Sequence, residues 1–168
     1  MQAAARLVYR SRQFFGALRP RIDARLRAEA LRLLREPEQQ LFETMTLRDQ
    51  QHGLDVHMRL RQQRSDDRDL LVAALLHDVG KGRVALWHRV AYVVLEAWTP
   101  RLLGRLVVPG VGRGWRQSLY RCQHHAELGA ELARRAGSSE QVVALIRAKD
   151  FGALGDRLVA LQAADDAA

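Results

Sequence analysis

The chain has 168 residues, 48% hydrophobic and 27% charged, enough for one domain with a substantial core and typical of a soluble globular protein. Lys and Arg (27) exceed Asp and Glu (19) by eight, almost entirely as arginine, which favours a phosphate-bearing partner; the codon bias of a GC-rich genome produces the same excess. The single Cys122 excludes an internal disulfide framework and fits a reducing, cytoplasmic setting, and residues 1–20 contain no uninterrupted apolar h-region.

Hydrophobic spacing is helical nearly throughout, with no run of strict alternation, and predicts an all-α fold. Helices are expected over 3–16, 21–35, 38–45, 48–63, 67–77, 84–98, 115–121, 123–136, 139–149 and 152–164. The segment from Met1 to Arg21 carries Leu7, Phe14, Phe15 and Leu18 at helical spacing, with five arginines and no acid before Asp23. It reads as a packed or surface-lying helix, or as a transit-like segment. Pro20 and Pro37 punctuate the early helices. Thr46 with Asp49, and Ser138 with Gln141, stand at capping-box spacing. Asp66 and Asp67 place negative charge at the start of the helix that ends in His77, and Gly137 stands where a C′ glycine belongs. Residues 84–108 are apolar, but His88, Arg89, Glu96, Pro100, Arg101 and Arg105 break them too often for a bilayer span. Residues 109–114 read as a Gly- and Pro-rich loop, with Arg113 and Arg116 in reach of a cleft.

Helix phase shows which polar residues face inward. His52 falls on the stripe of Val56 and Leu60, and His77 on that of Leu70, Ala73 and Ala74. His125 lines up with Cys122, Leu128, Gly129 and Leu132, whereas His124 shares a polar face with Glu131 and Arg135. Asp165 continues Leu154, Leu158 and Leu161, while Asp166 rotates away. A hydrogen-bonded core histidine is the simple reading of any one imidazole. Recurrence on three helices favours a shared cation, because a buried unpaired carboxylate costs several kcal/mol or more. His77 and Asp78 stand side by side at a helix end, and Val79-Gly80-Lys81-Gly82 then breaks the helix and brings an amine close.

With these residues in order, the chain resembles the HD-domain metal-dependent phosphohydrolase superfamily. Asp49-Gln50-Gln51-His52 resembles its first segment, Leu75-Leu76-His77-Asp78-Val79-Gly80-Lys81 its central one, and the run from Leu161 to Asp165 its last. The run from His125 to Leu132 resembles the segment that adds a histidine in binuclear members. The resemblance implies an HD-like helical bundle in one domain, with 1–38 as a helical extension on a core of 40–166. It implies His52, His77, Asp78 and Asp165 as ligands of a divalent cation (Mn²⁺, Fe²⁺, Co²⁺ or Mg²⁺, one or two ions), with His125 for a second. It also implies hydrolysis of a phosphate ester in a nucleotide or related small molecule, with Asp78, Lys81 and His125 catalytic. Lys81 and Lys149 are then the candidates for holding substrate phosphate.

Two departures stand out. Ile146-Arg147-Ala148-Lys149-Asp150 replaces the one or two histidines usual in binuclear members, so Lys149 stands in for a second metal, or Asp150 ligates one. The Gly-Tyr-Pro signature of the cyclic-di-GMP branch is absent. The alternatives are a non-catalytic HD-fold scaffold that keeps a structural metal, and nucleic-acid binding by the arginine-rich surface, for which there is no motif. Cys122 reads as a packed thiol, residues 110–114 as a turn, and Trp87, Trp98 and Trp115 as core or interface residues. His88 is placed on a helix face with no catalytic part.

Overall fold

The computed structural model describes residues 22–63, 65–107, 114–147 and 154–168, and every regular element among them is helical. The expected helix over 3–16 and the loop up to Arg113 lie outside the described residues, as do Lys149 and Asp150.

Helix α1 (Ala24–Leu31) starts on Asp23, whose carboxylate accepts the Arg25 and Leu26 amides. Helix α2 (Glu36–Glu43) begins two residues earlier than expected. Pro37 sits in its first turn, where no amide donor is needed, and the Glu38 carboxylate accepts the Arg35 amide at 2.8 Å. Thr46 caps α3 (Leu47–Gln62), and Asp67 caps α4 (Arg68–Leu76) by accepting the Leu70 amide. Seven consecutive buried residues, Leu70 to Leu76, make α4 apolar all round. Such a helix belongs at the centre of a bundle, and α4 packs against α2, α3, α9 (Glu140–Arg147) and α10 (Gly155–Ala167).

The turn into α9 corrects one expected cap. The amides of Gly137 and Ser138 close the end of α8 (His125–Arg135) on the carbonyls of Arg134 and Ala133, both at 3.0 Å, a Schellman arrangement with Gly137 at φ 79°. The N-cap of α9 is Ser139, whose hydroxyl accepts the Val142 amide. Ser138 instead donates its hydroxyl to the buried Glu38 carboxylate at 2.8 Å, tying α2 to the α8–α9 corner.

A second departure lies outside the core. Pro100, read from sequence as an interruption, opens a further helix, α6 (Pro100–Leu106), directly after α5 (Leu86–Trp98). Helix α5 contains no buried residue and packs on α6 and α7 (Trp115–Gln123). No helix of the described residues is long and apolar enough to cross a membrane.

Candidate metal centre

Three helices converge at one end of α4. Its last turn runs out at His77, still helical at φ −56°, and Asp78 at φ −95°, ψ 0° turns the chain into a short 3₁₀ segment, Val79–Lys81. The pairing of His77 and Asp78 is therefore a helix-end geometry. From α3 comes His52, two turns past the Thr46 cap, and from the last full turn of α10 comes Asp165. Helix α10 runs to Ala167, past the expected 164, because Leu158, Leu161 and Ala164 are buried beneath it.

The Asp165 Oδ1 lies 2.7 Å from His52 Nε2 and 3.5 Å from His77 Nε2. Asp78 Oδ1 lies 3.5 Å from the same His77 nitrogen. One donor atom from each of His52, His77 and Asp78 falls within 4.8 Å of the others. His77 Nδ1 donates to the Ala74 carbonyl at 2.9 Å, which fixes the ring and turns Nε2 toward the carboxylates. That Nε2 is shut off from solvent and, among the described residues, has no hydrogen-bond partner, only the two longer ion-pair contacts. Two carboxylates around an orphaned buried imidazole nitrogen suit a divalent cation, with a donor set of nitrogen and oxygen.

The electrostatics agree. Burial pushes the His77 imidazolium down, but Asp78 and then Asp165 outweigh it and raise it to about 9. Burial pushes Asp78 up, yet His77, Lys81 and His52 together hold it well below the usual carboxylate range. Asp165 is held low in the same way, against its burial, by the His52 hydrogen bond and then His77. The cluster attracts positive charge at the atom where a cation would sit.

The turn after Asp78 brings in Lys81, whose Nζ donates to Asp78 Oδ2 at 2.6 Å. The Asp78 carboxylate is thus divided, one oxygen toward the histidine and the other toward the ammonium, and Lys81 is no free loop cation. The turn also sits against α8. A Cβ on Gly80 would overlap the His125 carbonyl oxygen, so only glycine allows this approach. His125 donates Nδ1–H to the Cys122 carbonyl at 2.9 Å. Burial, then the neighbouring Lys81, lowers its pKa, leaving a neutral ring with a free Nε2 lone pair. Cys122 is buried and reduced, and burial raises its thiol pKa, as suits a packed side chain. His124 stacks on Tyr120 at 4.5 Å and takes no part, and half-buried His88 stacks on Trp87 at 3.6 Å.

Sequence reasoning passed over two groups beside the site. Asp49, 2% exposed, takes a bidentate pair from Arg89 of α5 at 2.5 and 2.6 Å, and the Thr46 hydroxyl donates to it as well. Arg48 lies close enough to Arg89, Asp49 and Asp78 to feel their charge; burial, then Arg89, lowers its pKa, and its buried Nη1 has no partner. Arg48 precedes His52 by one turn on the same helix face, a signal the sequence does carry.

Residues 43–166 match the HD domain family, and the chain belongs to it. Members bind divalent metals and are generally metal-dependent phosphohydrolases. No curated protein and no solved structure matches the chain.

Proposed function

We propose that this protein is a metal-dependent phosphohydrolase acting on a phosphate ester of a nucleotide or a related small molecule. The observation that carries the reading is His77 Nε2, buried, unpartnered and 3.5 Å from each of two carboxylates. In this reading His52, His77, Asp78 and Asp165 hold one divalent cation, and His125 either ligates a second ion or, with one ion bound, keeps its Nε2 for the water. Mn²⁺, Fe²⁺, Co²⁺ and Mg²⁺ all suit the mixed N/O set. When bound, the cation supplies Lewis acidity toward a phosphoryl oxygen and acidifies a water.

The chain's own groups do the rest. Asp78 would help hold the cation with one oxygen, and it keeps Lys81 in place with the other. Lys81 neutralises charge that grows on the phosphoryl oxygens. Neutral His125, its tautomer set by the Cys122 carbonyl, accepts a proton at Nε2 or orients the water. Arg48 offers its unpartnered Nη1–H to a second phosphate oxygen, and the Asp49–Arg89 pair holds the start of α3 in position. Lys149 keeps its role as a further phosphate candidate. The test is turnover of phosphomonoesters, phosphodiesters and nucleotides with Mn²⁺, for the wild type and Asp78→Ala. Hydrolysis lost in the variant supports the reading. Stoichiometric metal with no turnover on any ester would favour a binding module, and turnover retained by Asp78→Ala would remove Asp78 from the site.

A further inference from the structure

Between the metal-site turn and α8, the chain brings most of its large exposed apolar residues together with several exposed arginines. Along α5, Trp87, Val90, Val94 and Trp98 recur at helical spacing on one face, and all four are exposed, Trp87 to 62% and Trp98 to 84%. Leu102 of α6 and Trp115 of α7 are exposed as well. The opposite face of α5 carries Arg89, drawn inward by Asp49. One exposed leucine needs no explanation; a stripe along three turns flanked by tryptophans does.

The rim of this surface has one sign. Arg101, Arg105 and Arg116 are exposed, and Glu96 is the only acid among the described residues from 83 to 123. Arg101 and Arg105 make no ion pair among the described residues, and with Trp98 and Leu102 they line a groove of about 480 Å³. Arg116 lies over the Trp115 ring at 5.4 Å.

We propose that this surface docks the protein on an anionic lipid bilayer. Helix α5 lies in the plane of the headgroups, its Trp and Val stripe facing the acyl boundary and the arginines reaching lipid phosphates. Apolar residues with tryptophans on one side and arginines at the edge are the composition of an interfacial helix. Charge complementarity selects the partner. A second copy of the chain would set one arginine rim against another, and a nucleic acid would pair the arginines and stack on the tryptophans but leave the valines between them in water. An anionic membrane surface satisfies both the charge and the apolar stripe. With 13 residues, α5 is about 20 Å long, enough to lie on the bilayer and too short to cross it.

The experiment is co-sedimentation of the full chain with phosphatidylcholine vesicles, with and without about 30 mol% phosphatidylglycerol, alongside tryptophan emission. The expected result is binding and a blue-shifted emission with the anionic vesicles only, weakening as salt rises. Arg101→Gln with Arg105→Gln should weaken binding about thirty-fold, from two lost phosphate contacts. Val94→Asp should weaken it at least as much, with circular dichroism and metal content unchanged in both variants. No sedimentation with anionic vesicles at low salt would overturn the proposal. So would full binding by Val94→Asp, a lipid-independent dimer that Val94→Asp dissolves, or a preference for single-stranded DNA that the arginine variant alone abolishes.

Discussion

Replacing Gly80 by alanine tests the close approach that brings the His77–Asp78 turn against α8. The new Cβ would overlap the His125 carbonyl oxygen and stand 2.6 Å from the Gly129 amide nitrogen, main-chain atoms of the first two turns of α8. Ordinary contact begins at 3.4 Å, so α8 must retreat by roughly an ångström, and main chain yields less easily than a side-chain tip. Overpacking of this kind costs about 1–3 kcal/mol, and the main-chain obstacle puts the expected cost at about 3 kcal/mol. For a domain of this size the melting temperature should fall by about 6–12 °C. Urea and thermal unfolding followed by circular dichroism measure it. Gly104→Ala is the matched control: nothing lies within 4 Å of its Cβ, it sits inside α6, and alanine there should stabilise by about 0.5–1 kcal/mol. Opposite signs for one chemical change are the expectation. A Gly80→Ala protein within about 0.5 kcal/mol of wild type would refute the reasoning, because the overlap would then be relieved without strain.

Further outcomes follow from the site. Arg89→Ala leaves the Asp49 carboxylate buried with the Thr46 hydroxyl as its remaining hydrogen-bond donor, and should destabilise by about 3–5 kcal/mol. Adding Asp49→Asn should recover part of that loss in a double-mutant cycle, and additive effects would contradict the pairing. In the metal-free protein, Asp78 and Asp165 overcome burial and raise His77 to about 9. Below that pH a cation must displace a proton from Nε2, so apparent metal affinity should rise about tenfold per pH unit up to pH 9 and then level off. Calorimetric titration in buffers of different ionisation enthalpy should show about one proton released per ion at pH 7, and none released would contradict the assignment of His77. Arg48→Ala should raise KM for a phosphate ester about tenfold or more with the fold intact, and an unchanged KM would remove Arg48 from substrate binding.

Much of this arrangement is legible in the sequence, for identifiable reasons. The contiguous apolar run from Leu70 to Leu76 marks the central helix, and helix phase alone puts His52 and His77 inward, where the structure has them facing Asp165. Other features depend on information that local pattern lacks. Pro100 reads as a break by composition, but the same residue at the first position of a helix is a start, and only the chain path distinguishes the two. Ser138 carries the capping-box spacing to Gln141, but the buried Glu38, a hundred positions away, claims its hydroxyl and leaves the cap to Ser139. Asp49 and Arg89 stand 40 positions apart on separate helices, so their pairing has no local signature. The tryptophans of α5 and α7 read as core or interface by type; the structure exposes all three, which removes the core reading and leaves the interface one.

The most direct test of the proposed metal centre is elemental analysis of the purified, untagged chain by plasma mass spectrometry, beside Asp78→Ala and His52→Ala. Near-stoichiometric transition metal in the wild type, lost in both variants while helicity is kept, is the expected result, and the ratio of ions to chain counts the sites. A wild type that stays metal-free after purification with added Mn²⁺, or variants that keep the metal, would contradict the assignment of these residues as ligands.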